Sequence, residues 1–413
     1  MTASSRATTA RDARRHNERA ILAALRRAGT ASKPEVARQI ALSPQAVNGI
    51  FEKLLQQGLI REGGRRAGAV GHPSTLYALC PDGAFAIGID IGPRFLEAVL
   101  VDFTGAVAYR ALTDFDRPDP ATLRAAFAEG VAAVLAHVRE AGIDRARIAG
   151  IGVAEPAFIA EPAATAGALE EAAAQWRGLS LDRVLPEFDG LPVHLHRGAA
   201  VGALAMAMQV EMPRIRDYLY LAIGDTVDSC LVLGGAPHGG AQGRAGRFAA
   251  LPAPSGLTVG AVAGFAALRG RLTAAGSPAA DLDDLYRAMN EQPKLVAAWS
   301  RAAADAVLAG VQAVQACLDL EAVVLQVDPP NAFGDRIEAR LRDGLARLPS
   351  LGLAVPAIRR LKPQPGSLAG AAAAVALHER FAPRLDRLTR QGPEGGGAQS
   401  GGPPSAPSRG GRT

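Results

Sequence analysis

The stretch FAIGIDIGPRFLEAVLVDFTGAVAYR, residues 85–110, has the pattern of short strands joined by tight turns. A first apolar run ends at Asp90 and Gly92, a second run follows the turn, and a Thr-Gly pair marks the turn into a third. Short apolar runs bounded by glycine and polar residues are typical of β-strands. Residues 218–235, YLYLAIGDTVDSCLVLGG, repeat the theme of two apolar strands around a polar turn. Because helix-rich segments lie between these strands, the sequence predicts an α/β protein.

Length and composition set the broad class of the chain. With 413 residues, 48% of them apolar, two or three domains with ordinary cores are expected. The chain contains no apolar run of about 18 residues, and the polar, basic start MTASSRATTARDARR lacks the apolar segment of a secretory signal. We therefore expect a cytoplasmic protein without a membrane partner. The three cysteines are far apart in sequence, which indicates neither a disulfide framework nor a zinc site.

Positive charge is concentrated at the start of the chain. Residues 1–85 contain 13 Lys and Arg against 6 Asp and Glu, whereas the remainder contains 32 against 34. A small basic module ahead of a larger, near-neutral one is the pattern expected of nucleic-acid binding. A basic face that serves only solubility is the alternative.

Three helices are predicted within this basic module. HNERAILAALRRAG, residues 16–29, has apolar residues on one helical face and ends in glycine. SKPEVARQI, residues 32–40, begins with the Ser and Glu spacing of a capping box. SPQAVNGIFEKLLQQG, residues 43–58, begins with a Ser cap and a first-turn Pro and carries an apolar stripe. Two short helices joined by a tight turn predict a helix-turn-helix.

The third helix supplies the candidates for base recognition. In a helix-turn-helix, the N-terminal part of the second helix meets the major groove. The amides of Gln45 and Asn48 can make the paired hydrogen bonds that adenine offers. Exposed polar residues without a role are the alternative. The DNA-binding candidates on this helix are Ser43, Pro44, Gln45, Asn48 and Lys53.

A β-wing is predicted after the third helix. LIREGGRRAGAVGHPSTLYAL, residues 59–79, consists of an apolar strand, a Gly- and Arg-rich loop and a second strand. Residues 14–82 resemble the winged helix-turn-helix of ROK-family repressors, in which the wing ends in a Gly-Arg-Pro-like tripeptide. Here the tripeptide is Gly-His-Pro, with His72 in place of Arg. Arg65 and Arg66 lie in the same loop and can contact phosphates or the groove in its place.

The rest of the chain resembles the ROK sugar-kinase-like domain. The repeated strand-turn-strand pattern and the ending GSLAGAAAAVALHE carry this resemblance across roughly residues 83–382. It implies a two-lobed, actin-like (ribonuclease H-like) α/β fold behind the winged helix-turn-helix. We expect the first lobe to span about 83–200 plus 366–382, and the second about 201–365. Residues 1–13 are expected to form a disordered basic arm, and the Gly-, Pro- and Ser-rich residues 383–413 a disordered tail.

The resemblance does not extend to the chemistry of the kinases. Their first turn is rich in Gly and Thr so that backbone amides can reach phosphate, whereas this chain has Pro93, Arg94 and Phe95 there. Residues 224–230 keep few glycines of the second phosphate turn and carry two carboxylates. The family's Asn-Asp pair falls on His196 and Arg197, and a guanidinium cannot act as a general base.

The metal-binding and sugar-binding residues of the family are also replaced. The segment in which Glu and His hold sugar and zinc aligns with GRFAAL, which places Arg247 at the Glu and Ala250 at the His. Residues 251–265 contain no cysteine where the family has a zinc loop. The sequence therefore predicts neither a metal nor another cofactor. Arginines in the cleft favour a small, anionic, sugar-like effector, whose tentative contacts are Glu155, His196, Arg197 and Arg247. Alternatively, the arginines pair with Asp225, Asp228 or Glu155, or face solvent.

Together these patterns predict a DNA-binding transcriptional regulator, a repressor by resemblance, with a catalytically inactive second domain. The expected partners are a double-stranded DNA operator, the effector, and further copies of the chain in a homodimer or homotetramer. The alternatives are a ROK-type sugar kinase with a DNA-binding arm, and a DNA-binding protein that needs no effector.

Overall fold

The computed structural model describes residues 3–66, 74–92, 94–156, 159, 170–185, 188, 190–207, 215–279, 282–327, 332–361 and 367–382. Over these residues the helices are α1 (Ala3–Ala28), α2 (Lys33–Ile40), α3 (Pro44–Gln56), α4 (Pro120–Glu140), α5 (Glu170–Gln175), α6 (Leu181–Val184), α7 (Gly198–Ala207), α8 (Val259–Ala263), α9 (Phe265–Ala274), α10 (Leu282–Glu291), α11 (Pro293–Leu318), α12 (Ala332–Leu345) and α13 (Ser367–Phe381). The strands are β1 (Ala31–Ser32), β2 (Ile60–Arg66), β3 (Ser74–Leu79), β4 (Phe85–Ile91), β5 (Phe95–Asp102), β6 (Val107–Asp114), β7 (Ile148–Glu155), β8 (Val193–Arg197), β9 (Tyr218–Ile223), β10 (Val227–Leu233), β11 (Ala236–Pro237), β12 (Ala322–Val327) and β13 (Ala357–Leu361).

Helices α1, α2 and α3 and the sheet β1-β3-β2 form the predicted winged helix-turn-helix. Its core contains the apolar stripes of the three helices, with Ile21, Val36 and Phe51 fully buried. The Phe51 ring meets Tyr77 of the wing edge-on, at 5.0 Å between ring centroids. Strands β2 and β3 pair antiparallel, with a register shift between Glu62 and Gly64.

The start of the chain differs from expectation. Residues 3–13, predicted as part of a disordered arm, continue helix α1 back to Ala3. The physical reason is composition: alanine and arginine are both strong helix formers, and this segment contains neither Gly nor Pro. The predicted tail, residues 383–413, lies outside the described residues.

Two five-stranded sheets of the same topology form the rest of the protein. In the first, β6-β5-β4-β7-β8, strands β6, β5 and β4 pair antiparallel, and β4, β7 and β8 pair parallel. The second, β11-β10-β9-β12-β13, has the same succession. The repeated topology confirms the predicted two-lobed actin-like fold. We call the sheet containing β4 and its covering helices the first lobe, and the sheet containing β9 and its covering helices the second lobe.

Helices cover both faces of the first sheet. Helix α4 buries Leu123, Phe127 and Val131 on one face. By length and hydropathy alone α4 could span a membrane, but this buried stripe is the pattern of a core helix. Helix α13 covers the other face so closely that a Cβ at Gly88 or Gly152 would lie 1.8 Å from a helix carbonyl oxygen. The end of the chain thus completes the first lobe.

Both tryptophans are core residues. Trp176 is fully buried and donates its indole N–H to the Pro118 carbonyl at 2.7 Å. Trp299 of α11 is likewise buried, stacks on Phe333 at 4.3 Å and donates to the Val262 carbonyl at 2.9 Å. These pairings satisfy the polar end of each indole, so both side chains can fill a lobe's core.

The winged helix-turn-helix and the first lobe share one hydrophobic cluster. It extends from Ile21 and Leu25 of α1 through Phe103 to Leu377 of α13. Arg26 crosses this junction: Nη2 donates to the Phe103 carbonyl at 2.8 Å, and the guanidinium lies 5.2 Å from the Phe103 ring centroid. Burial lowers the pKa of Arg26, and the nearby Asp102 carboxylate opposes that shift. The winged helix-turn-helix therefore packs directly on the first lobe.

Candidate nucleic-acid interface and inter-lobe cleft

The N-terminal half of α3 presents polar side chains to solvent. Ser43 caps the helix by accepting a hydrogen bond from the Ala46 amide at 3.3 Å, and Pro44 follows in the first turn. Because Val47 and its successors on the stripe are buried, the opposite face turns outward, and Gln45 and Asn48 are exposed there. The structure thus gives both amides the accessibility that base reading requires; the base contacts themselves stay predictions.

Lys53, a third candidate on this helix, is partly exposed, and its ammonium group pairs with Glu18 of α1. Its contact with DNA stays a prediction, as for Gln45 and Asn48. The ion pair joins positions 35 residues apart, so no local pattern in the sequence could have indicated it.

Arg66 is held by the start of α2. Glu35 accepts hydrogen bonds from the backbone and the hydroxyl of Ser32, both at 2.8 Å, and its second oxygen accepts from Arg66 Nη1 at 2.8 Å. The Ser32 hydrogen bonds, chiefly the backbone one, lower the pKa of Glu35, and Arg66 contributes to the same shift. Arg66 remains more than half exposed, so this pair fixes the wing against α2 while leaving the guanidinium at the surface.

Arg65 lies beside this pair on the wing. It is exposed near the end of β2, where it pairs with Thr75 of β3. Arg61, on the same strand, is also exposed and was missed by the sequence reasoning, although its position between the α3 helix and the Gly-Arg loop was visible. His72 belongs to residues 67–73, which lie outside the described residues.

At the inter-lobe cleft, Arg197 is engaged by an acid from the other lobe. It ends β8, and its Nη2 donates to Asp228 Oδ1 of β10 at 2.8 Å. Asp228 is 9% exposed and also accepts from the Ala199 amide at 3.0 Å and from the Ser229 amide at 2.8 Å. The carboxylate thus caps α7 as well as pairing with the guanidinium. The sequence reasoning named Asp228 as an alternative partner of Arg197 but missed this capping role.

Glu155 lies next to Arg197, because the two residues are partners in the parallel pairing of β7 and β8. Burial raises the pKa of Glu155, and the Arg197 charge opposes the shift. This carboxyl is therefore placed to accept a proton more readily than an exposed Glu.

His196 faces away from this group. Successive side chains of a strand point to opposite faces, so His196 lies on the other side of the sheet from Arg197. There burial lowers the pKa of His196, while Glu379 of α13 opposes the shift. The four tentative effector residues therefore do not share one surface, and His196 is removed from that set.

The turn between β9 and β10, expected from the family resemblance to correspond to a phosphate turn, makes contacts with α9. Asp225 pairs with Arg269 of α9 at 3.1 Å. The first amides of α9, Phe265 and Ala266, donate to the Gly224 and Asp225 carbonyls at 2.8 and 3.0 Å. Groups that could bind an anion or a metal-bound phosphate are thus occupied by contacts within the second lobe.

Arg247 and Ala250 lie in a surface turn of the same lobe, and both are exposed. The turn is anchored by Ser229, whose hydroxyl accepts from the Phe248 amide at 3.1 Å and donates to the Gly246 carbonyl. Within the described part of the chain, no three His, Cys, Asp or Glu side chains come together in a way that could hold a metal ion.

Comparisons with known proteins assign both parts of the chain. Residues 14–61 match a family of winged helix-turn-helix DNA-binding domains, and residues 86–257 match the ROK family. The xylose repressor of Caldicellulosiruptor bescii is 23% identical over 220 residues, which are 52% of this chain and 53% of that protein. A transcriptional regulator of Mycobacterium tuberculosis is 30% identical over 249 residues, 58% of this chain and 54% of that protein. The matched region thus spans about half the length of these curated relatives.

Among solved structures, the same fold occurs in a ROK family transcriptional regulator described as a homologue of the E. coli MLC protein. The superposition of the two structures covers 90% of this chain and 98% of the regulator, with a TM-score of 0.63 and 16% sequence identity. The strand order, the helix-turn-helix and the two family matches agree with one another. The chain therefore carries a winged helix-turn-helix domain, matched over residues 14–61, ahead of a ROK domain, matched over residues 86–257.

Proposed function

We propose that this protein is a sequence-specific DNA-binding transcriptional regulator, a repressor, that acts on double-stranded operator DNA in the cytoplasm. The exposure of Gln45 and Asn48 on a helix whose opposite face is locked into the core is the observation that carries the proposal. The exposed Arg65 on the wing supports it, because phosphate contacts from such positions fix a protein on the duplex. Relatives named xylose repressor and transcriptional regulator support the same function.

A dimer or tetramer is part of the proposal. Helix-turn-helix dimers bind half-sites about one helical turn apart, so the symmetry of the protein is matched by an inverted repeat in the DNA. We propose that the ROK domain supplies this assembly.

We further propose that the ROK domain transfers no phosphate. Arg197 occupies the place at which the family resemblance puts the catalytic base, and a guanidinium stays protonated at physiological pH. Its hydrogen bond to Asp228 at 2.8 Å favours this proposal, because the position then serves a contact within the protein.

A small, anionic, carbohydrate-like effector remains part of the proposal, with Glu155, Arg197 and Arg247 as its contacts. Arg247 supports effector binding because its side chain is exposed. The turn that carries Arg247 is hydrogen-bonded to Ser229, which is adjacent in sequence to Asp228. The engagement of Arg197 favours a second candidate, a DNA-binding protein that needs no effector.

The test is selection of fragments from the organism's own genome by the purified protein, run beside an assay for phosphate transfer from ATP to a panel of sugars. The proposal expects enrichment of fragments that share an inverted repeat, including one upstream of the protein's own coding sequence. It expects no sugar phosphate. Sugar phosphorylation without enrichment of any sequence would show that the chain is a kinase.

A further inference from the structure

An ion pair joins the two lobes. Arg197 is the last residue of β8 in the first sheet, and Asp228 lies in β10 of the second sheet. Their side chains are 23% and 11% exposed, and the Nη2–Oδ1 distance is 2.8 Å. A pair this sheltered is screened less by salt than a pair on the surface.

Each partner is anchored in its own lobe. Arg197 is paired in register with Glu155 of β7, and Asp228 with Ala222 of β9. The Asp228 carboxylate also holds the first turn of α7 through the Ala199 amide at 3.0 Å. Opening the cleft at this point would therefore break a charge pair and a helix cap together. Leaving a sheltered charge without its partner is strongly destabilising in general.

We propose that Arg197 and Asp228 form a latch that holds the two lobes together. The protein itself supplies a carboxylate to the guanidinium. Because Asp228 is part of the same chain, its effective concentration at Arg197 is high, and an external anion must compete with it. An anionic effector would act by displacing Asp228 and releasing the latch. That regulatory step rests on the proposed function, whereas the latch itself does not.

The second hairpin provides a matched control. Asp225, three residues before Asp228, pairs with Arg269 at 3.1 Å, and both residues belong to the second lobe. Neutralising Asp225 removes an ion pair from the same hairpin but breaks no contact between lobes.

The test measures the distance between the lobes in the full-length protein by electron–electron double resonance. Spin labels are attached at Val107→Cys in the first lobe and Leu351→Cys in the second, both strongly exposed positions. The accessible natural cysteines are replaced by Cys80→Ser and Cys317→Ser. Labelled protein is diluted with unlabelled protein so that only distances within one chain are recorded. The substitutions compared are Arg197→Gln, Asp228→Asn, the two combined, and the control Asp225→Asn.

We expect each latch variant to shift and broaden the distance distribution, and the combined variant to go no further than either single one. The control should give the distribution of the parent. If the latch variants also keep the parent distribution, the latch is ruled out. If circular dichroism shows that a single variant does not fold, the distance distribution of the combined variant tests the latch, because the combined variant leaves neither charge unpaired.

DNA affinity is measured on the same variants to separate the two proposals. A changed lobe distance in a protein that binds no specific DNA would overturn the proposed function and leave the latch standing. An unchanged lobe distance in a protein that binds its operator would overturn the latch and leave the proposed function standing.

Discussion

At the residue scale, the surface of α3 decides what the protein can recognise. Gln45 and Asn48 face solvent because the stripe formed by Val47, Phe51 and Leu54 faces the core. The polarity of the amides, donor and acceptor on one group, suits the edge of adenine in the major groove. The buried apolar stripe therefore fixes the orientation of α3, and that orientation determines which residues can reach the bases.

Asn48→Ala should relax sequence specificity. If the amide reads a base, its loss removes about 1–3 kcal/mol of discrimination against the wrong base at one position. Fluorescence anisotropy with the preferred duplex and with single-base variants checks this. Gln56→Ala, an exposed amide at the other end of α3, is the control and should change nothing. Equal discrimination by Asn48→Ala and the unsubstituted protein would remove Asn48 from the recognition surface.

Arg65→Ala should weaken binding to all sequences alike. A phosphate contact releases counterions, so its loss should reduce the slope of log K against log salt by about 1. Titrations of specific and shuffled duplexes at several salt concentrations measure that slope. Arg287→Ala, an exposed arginine of the second lobe, serves as control. A loss confined to one sequence would instead mean that Arg65 reads a base.

The exposure of a side chain could be predicted where it depends on neighbours in the same helix or strand. Contacts with residues distant in sequence could not be predicted. The exposure of Gln45 and Asn48 follows from a stripe within one helix. The pairing of Lys53 with Glu18, and the effect of Glu379 on the pKa of His196, depend on how separate elements pack. Both His196 and Arg197 lie within β8, so strand alternation places their side chains on opposite faces of the sheet.

At the element scale, helix α4 depends on its cap. Asp119 Oδ1 accepts from the Ala121 and Thr122 amides at 2.9 and 3.0 Å, and Oδ2 accepts from the Thr122 hydroxyl at 2.6 Å. These hydrogen bonds, chiefly that of the Thr122 hydroxyl, lower the pKa of Asp119. The charged carboxylate therefore stabilises the first turn of the helix that covers the first sheet.

Asp119→Ala should lower the free energy of unfolding by about 1 kcal/mol at neutral pH. Because the folded pKa is depressed, the ionic part of this stabilisation is present above the unfolded pKa and is lost as pH falls through the folded pKa. The difference between the two proteins in urea unfolding should therefore shrink at acidic pH. Asp119→Asn keeps a capping oxygen without charge and should show little dependence on pH. A difference that grows on acidification would contradict this account.

Helix α13 can lie on the first sheet only where glycine leaves room. Gly88→Ala would put a Cβ 1.8 Å from the Ala369 carbonyl oxygen, so the helix must move. We expect a loss of at least about 1–3 kcal/mol in the free energy of unfolding, the usual cost of overpacking. Gly370→Ala, on the same helix with open space around it, should be neutral or stabilising by up to about 1 kcal/mol. Equal thermal stability of the two variants would contradict this packing.

The strands were more predictable than the helix ends. The apolar runs bounded by turn residues in FAIGIDIGPRFLEAVLVD correspond to β4 and β5. Runs of this length between turn residues are typical of buried strands. The start of α1 was missed, since a basic, polar segment gives no periodic signal of burial. Nothing local indicated which strand would lie between which others, because strand order depends on contacts distant in sequence.

At the scale of the whole molecule, the winged helix-turn-helix and the first lobe form one packed unit. Phe103 lies in their shared cluster, fully buried, with its ring 4.8 Å from Phe381 of α13 and Arg26 of α1 over its face. Movement of the first lobe should therefore carry the DNA-binding surface with it. This coupling would connect a change in the cleft to the spacing of two recognition helices in a dimer.

Phe103→Ala should destabilise both parts at once. Deletion of a buried phenylalanine costs about 3–5 kcal/mol. Hydrogen exchange should show faster exchange at the amides of α3 and of β4 together. Phe333→Ala, in the core of the second lobe, is the control and should leave α3 protected. Faster exchange in β4 alone would mean that the winged helix-turn-helix folds independently of the lobe.

The central claim is that this protein, with its winged helix-turn-helix and ROK domains, recognises a particular DNA sequence. The most direct measurement is an anisotropy titration of the full-length protein with the duplex recovered by genomic selection and with a shuffled duplex of equal length, at one stated physiological salt concentration. The account predicts affinity for the recovered duplex at least about a thousandfold higher than for the shuffled one, as in specific protein–DNA complexes. Equal affinity for the two duplexes would contradict it.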